Sequence, residues 1–175
     1  DARRGPPGGR AGGLGAGLSD ASKPRADRRA LSAAARVYAV QALFQMEAAD
    51  QSADRVVREF ENWRIGVEYD EGISPEADED LFERIVDGVV NWQARIDQMT
   101  DRALVAKWPI DRIDPVLRAV FRAAGAELVG ADTPPRVVIS EYVAVADAFF
   151  PDGREARFVN AVLDHMARAA RPEAF

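Results

Sequence analysis

Residues 134–164 read PPRVVISEYVAVADAFFPDGREARFVNAVLD. Pro134-Pro135 and Pro151-Asp152-Gly153 punctuate this stretch, so it reads as two helices with a marked break between them. In the second, Phe158, Ala161, Val162, His165, Met166 and Ala169 recur at helical spacing and predict a core stripe. Arg157, Asn160, Asp164 and Arg168 predict a separate polar stripe. The opening of that helix is unusual. Arg154 and Arg157 sit in its first turns, where the partial charge is already positive and cations are disfavoured. One reading is a phosphate site, because a helix N-terminus with added arginines attracts anions. The other is structural: Asp152 caps the helix, Glu155 completes a capping-box-like pair, and the arginines are solvated.

Working outward, the same punctuation recurs. Seven helices are expected: about Asp27–Ala48; from Ser52 to near Arg64; from the cap-proline pair Ser74-Pro75 to about Trp92; from Ala94 to about Lys107; from Asp114-Pro115 to about Val129; from Pro135 to near Phe149; and from Gly153 to about Ala170. Nothing reads as a strand, since alternating segments and Asn-Gly hairpin turns are missing. Short connections between amphipathic helices imply antiparallel packing in a bundle. Residues 1–26, rich in Gly, Pro, Ala and Arg, cannot bury enough apolar surface to offset their ordering entropy and are expected to form a disordered arm. Residues 27–175 form the single expected domain, a length suited to one core.

Charge is unevenly distributed. The net charge is −6, yet Asp1–Arg29 carries seven Arg or Lys against three Asp, or +4, leaving −10 for the remainder. A basic arm on an acidic body suits a binder of nucleic acid or of acidic surfaces, and also suits a solvated tail. Arg29 and Arg36, seven residues apart, share a face of the first helix that Arg25 and Ser32 join if the helix begins early enough; such a stripe can track a phosphate backbone or simply be solvated. Phe158 is either an anchor to the bundle or a platform for a base. Asn160 faces outward on this reading, a position where a mediocre helix former suits binding. His165, the only histidine, falls on the apolar stripe and reads as partly buried and hydrogen-bonded.

The composition also excludes chemistry. Without cysteine there are no disulfides, thiolate metal sites or cysteine nucleophiles, which fits a reducing cytoplasm, the expected location. No apolar stretch reaches the roughly 18 residues needed to span a membrane. Gly-rich phosphate loops, nucleophile elbows and His-Glu zinc helices are missing, so neither enzyme activity nor a cofactor is expected. Glu127, Glu141 and Asp147 make an acid–base pair only by an arrangement the sequence does not show. Glu76, Asp78, Glu79, Asp80 and Glu83 are placed where acids stabilise a helix start, and need no metal to explain them.

Four blocks, in order, resemble the NusB transcription antitermination family: Ala35-Arg36-Val37-Tyr38-Ala39-Val40-Gln41-Ala42-Leu43-Phe44; Phe121-Arg122-Ala123-Ala124-Gly125-Ala126-Glu127-Leu128; Val138-Ile139-Ser140-Glu141 with Val143, Ala146 and Phe149; and Phe158-Val159-Asn160-Ala161-Val162-Leu163-Asp164. The resemblance spans about Arg28 to Asp164. It implies an all-α, seven-helix NusB-like bundle of two three-helix halves plus an extra helix, with no enzyme activity. It implies binding of boxA RNA together with ribosomal protein NusE, in an antitermination complex with RNA polymerase and other Nus factors during ribosomal RNA synthesis. By the same resemblance, the RNA surface comprises Arg36 and its upstream neighbours Arg25, Arg28 and Arg29, with Arg154, Arg157, Phe158 and Asn160. Two other readings stay open: the NusB-like domain of a ribosomal RNA cytosine methyltransferase, and a purely protein-binding helical adaptor.

Overall fold

The computed structural model describes residues 25–105 and 110–175. Residues 1–24, most of the expected arm, lie outside the described residues, as does the expected helix end at Lys107. Among the described residues six α-helices are formed: α1 (Arg25–Ala49), α2 (Ala53–Trp63), α3 (Glu79–Ala103), α4 (Pro115–Gly130), α5 (Pro135–Phe149) and α6 (Arg154–Ala170). A hairpin of β1 (Glu68–Tyr69) and β2 (Gly72–Ile73) lies between α2 and α3, and single 3-10 turns occupy Ile110–Arg112 and Pro172–Ala174. The described residues are therefore all-α in their main architecture.

Three sequence expectations are corrected. The expected third and fourth helices are one, α3, kinked at Trp92 (φ −123°, ψ 16°). No proline or cap interrupts Asn91-Trp92-Gln93, and the kink falls where the buried face steps from Val89 to Ile96. The helix starts at Glu79 rather than behind Ser74-Pro75, because that pair is used elsewhere. Ser74 N–H donates to the Val67 carbonyl (2.9 Å), and the Pro75 carbonyl accepts from Gly66 N–H (3.1 Å) and the Tyr38 hydroxyl (2.8 Å). With that backbone tied into the hairpin, the next available cap is Asp78, whose carboxylate accepts from Leu81 N–H at 3.0 Å. The hairpin is the third correction: Glu68 stands opposite Ile73, and Tyr69 opposite Gly72.

α4 forms the centre of the packing. Leu117, Val120, Phe121, Ala123, Ala124, Ala126 and Leu128 are buried, and α4 touches α1, α3, α5 and α6. Its small residues let α3 come close: a Cβ on Gly125 would stand 2.3 Å from Ile96 Cγ2. In the first half, Phe60 stacks on Phe82 (5.7 Å, 26°) and meets Tyr38 edge-on (6.3 Å), so α1, α2 and α3 share one aromatic contact. Each fully buried aromatic ring here contributes about 1.5–3 kcal/mol through apolar burial.

Candidate nucleic-acid interface

α6 begins without a side-chain cap. Its N-cap is Gly153, held at φ +82° in the left-handed region where glycine is favoured, and among the described residues no side-chain cap bonds the first turn. The expected Asp152–Glu155 capping pair is thus corrected. A glycine in that conformation turns the chain sharply enough to start the helix, and it leaves the amide donors of the first turn without a side-chain acceptor. Arg154, Arg157 and Asn160 are exposed and recur three residues apart, so they share one face of α6. Phe158 is half-buried and packs edge-to-face on Phe121 of α4 (6.0 Å, 71°), which anchors it to the bundle.

The stripe that holds α6 down is rotated from the expected one. Val159, Val162, Leu163, Met166 and Ala167 are buried, whereas Ala161, His165 and Ala169 are exposed. Larger aliphatic side chains win the core face because they remove more apolar area from water. His165 is accordingly a surface residue, and the reading of it as partly buried is corrected. Lower on the polar face, Arg168 Nε donates to Asp164 Oδ2 (3.0 Å), and its guanidinium lies over the Phe175 ring (4.5 Å).

On α1, Arg28 and Arg29 are exposed in the first turns. Arg25 opens the helix, but its side chain lies outside the described residues. Arg36 is placed quite differently. Its side chain is 7% exposed and forks onto Glu127 of α4, with Nε–Oε2 at 2.9 Å and Nη2–Oε1 at 3.0 Å. Glu141 of α5 approaches Nη1 at 3.7 Å, and Thr133 Oγ1 donates to Glu127 at 3.3 Å. Burial works against the charge of Arg36, yet the bond and charge of Glu127 outweigh it and its pKa rises. Burial also drives the Tyr142 hydroxyl, set among these groups, well above its ordinary value. The expectation of one solvated stripe from Arg29 through Arg36 therefore does not hold: Arg36 has turned into the bundle. The sequence carried a signal for this, since Glu127 sits in an otherwise apolar run and a buried carboxylate requires a cation.

Two further arginine sets are engaged internally. Arg171 donates from Nε to the Leu128 carbonyl (2.9 Å) and from Nη2 to the carbonyls of Glu127 (2.7 Å) and Ala131, capping the C-terminal end of α4. Arg118 and Arg122 bind Glu47, and Arg122 also binds Asp97 (3.0 Å), beside a groove of about 680 Å³ between α1, α3 and α4. The hydrogen bond from Arg118 is the main reason Glu47 is held below the usual carboxylate range. Arg28 and Arg29 at the start of α1, and Arg154 and Arg157 at the start of α6, are by contrast exposed. These two helices do not pack extensively on each other; each packs on α3 and α4. Among the described residues no group of three His, Cys, Asp or Glu is placed to hold a metal ion, and no helix is long and apolar enough to cross a membrane.

Fold and surface together define a class: a helical bundle with a buried arginine–glutamate fork and exposed arginines at two helix starts. A model of the NusB family matches residues 33–168. Transcription antitermination protein NusB from Maricaulis maris (strain MCS10) is 47% identical over 161 residues, covering 90% of this chain and 100% of that protein. The protein of the same name from Granulibacter bethesdensis (strain ATCC BAA-1260 / CGDNIH1) is 46% identical over 148 residues, covering 81% and 90%. Among solved structures, T. maritima NusB superposes with a TM-score of 0.64 at 28% identity, covering 82% of this chain and 95% of that one. A structure of antitermination factors NusB and NusE in complex with dsRNA has a TM-score of 0.61 at 23% identity, covering 78% and 96%, and bears on the fold alone. The chain belongs to the NusB family.

Proposed function

We propose that this protein is a non-catalytic, RNA-binding transcription antitermination factor. On this reading it binds boxA RNA together with ribosomal protein NusE, and joins RNA polymerase and other Nus factors during ribosomal RNA synthesis. The observation that carries the reading is the likeness, over 90% of this chain, to a protein named for transcription antitermination. The RNA face runs from Arg25, Arg28 and Arg29 at the start of α1 to Arg154, Arg157, Phe158 and Asn160 on α6. Arginines and free first-turn amides at α6 suit phosphates. The half-buried ring of Phe158 and the exposed amide of Asn160 suit an unpaired base. Arg36 belongs to this function as a positioning residue: through Glu127 it sets how α1 lies on α4, and so where Arg28 and Arg29 stand.

Titration of labelled boxA RNA with the full chain, with and without NusE and across a salt series, tests this. Affinity is expected to fall steeply with salt. Each of Arg154→Ala and Arg157→Ala should reduce the salt slope by about 0.7, the single-strand value for one lost phosphate contact. Arg28→Ala and Arg29→Ala should act likewise. Affinity and slope unchanged in all four variants would remove these residues from the RNA face.

A further inference from the structure

We propose that the end of α2 and the β1–β2 hairpin form a docking surface for a basic segment of a partner protein that inserts an apolar side chain. Trp63 is 68% exposed and Tyr69 52% exposed. Their exposure does not come from a frayed segment. The Tyr69 hydroxyl donates to the Trp63 carbonyl, and the hairpin base is tied to α1 by the Tyr38 hydroxyl on the Pro75 carbonyl (2.8 Å). Opposite Tyr69 stands Gly72, with nothing within 4 Å of where its Cβ would be, so no cross-strand side chain covers the ring. The two aromatics line a groove of about 520 Å³ with Tyr38, Gln41, Arg64 and Pro75. Large aromatics held out over a groove are the kind of anchor that dominates protein interfaces.

Charge selects the partner. Residues 65–83 contain eight carboxylates and no Lys or Arg. Glu68, Asp70 and Glu71 are exposed on the hairpin itself. The nearest cation, Arg64, is already matched by Glu59 (3.3 Å) and lies over the Phe60 ring (4.7 Å). On neighbouring α2, burial first, then the hydrogen bond and charge of Glu83 and the charges of Glu79 and Asp80, raise Glu61 to about 7. Phosphates of RNA or of an anionic membrane are repelled by such an acidic segment, whereas a segment rich in Lys or Arg is drawn to it. An aromatic groove beside an acidic hairpin turn therefore fits a basic peptide with an apolar residue. The surface shares no residue with the proposed RNA face.

The test is fluorescence anisotropy with the full chain and a labelled peptide alternating arginine and leucine, against a glutamate–leucine counterpart. The basic peptide alone should bind, and more weakly as salt rises. Trp63→Ala should weaken it roughly thirtyfold, the scale of an aromatic hot spot. Asp70→Lys with Glu71→Lys, in an exposed turn with no fold to lose, should weaken it and flatten its salt dependence. Ile73→Ser, on the opposite face of the hairpin, should leave it unchanged, and boxA RNA affinity should be unchanged in every one of these variants. Equal binding of the two peptides, or an unaltered Trp63→Ala, overturns the proposal. So does loss of RNA affinity in Trp63→Ala, or loss of a self-association seen by sedimentation, since either gives the surface to RNA or to a second copy. A failure of boxA binding in the wild type leaves this test intact.

Discussion

Replacing Arg36 with alanine separates its two candidate roles. The wild-type fork places both guanidinium contacts at 2.9–3.0 Å on a carboxylate whose side chain is 2% exposed. Removing the arginine leaves Glu127 buried without its cation, with Thr133 Oγ1 still donating at 3.3 Å. Breaking a buried ion pair from one side costs about 3–5 kcal/mol. Total stabilities run at about 5–15 kcal/mol, so about a fifth or more of the fold's margin is at stake. With a urea dependence of about 2 kcal/mol per molar, the unfolding midpoint should fall by about 2 M. The paired change Arg36→Met with Glu127→Leu should restore most of that loss, because an apolar pair of similar volume is often neutral or stabilising in such a site. The assay is urea unfolding of the single and paired variants, with boxA titration of each under folding conditions. The paired variant should keep wild-type RNA affinity. An unfolding midpoint for Arg36→Ala within about 0.5 M of wild type, combined with weakened RNA binding, would refute the positioning role and return Arg36 to the RNA face.

Two other outcomes follow from particular contacts. Glu61 is raised from its ordinary 4.5 to about 7 by burial and by Glu83, so the folded state holds its proton more tightly than the unfolded chain. Stability from this group is therefore fully present below about pH 4.5 and is lost as pH rises through about 7; Glu61→Gln should raise the Tm at about pH 8 and coincide with wild type below about pH 4.5, and parallel Tm–pH curves would sink the assignment. Gly125→Ala should lower stability by about 1–3 kcal/mol, since its methyl would stand 2.3 Å from Ile96 Cγ2 and force α3 from α4. Helix propensity alone predicts the opposite sign, a gain of about 1 kcal/mol, so urea unfolding decides between them.

Most of the architecture was legible because it depends on local chemistry. Ser52, Asp114-Pro115 and Pro135 mark helix starts by capping and fixed φ, and the structure places α2, α4 and α5 at those points. The errors share a cause. Ser74-Pro75 resembles a helix start as closely as Asp114-Pro115 does, but its backbone is claimed by Tyr38 and Gly66, partners from elsewhere in the chain. The break expected near Trp92 became a kink because nothing local stops the helix there. On α6, helical spacing alone allowed neighbouring registers of the apolar stripe, and contact with α4 and α5 chose the one that leaves His165 outside.

The sequence by itself determined the helical class, the helix starts with clear caps, the family blocks and the unusual arginines opening α6. Those properties rest on φ restrictions, side-chain-to-backbone bonds and the helical period, all of which act within a few residues. Only the tertiary structure decided which arginines remain available. Arg28, Arg29, Arg154 and Arg157 face outward, whereas Arg36 is committed to Glu127, 91 residues away, and Arg171 to the end of α4. The same cation is a ligand site in water and a strut in the core. Which it becomes depends on whether the fold brings a buried carboxylate or carbonyl within hydrogen-bond reach, and local sequence does not encode that distance.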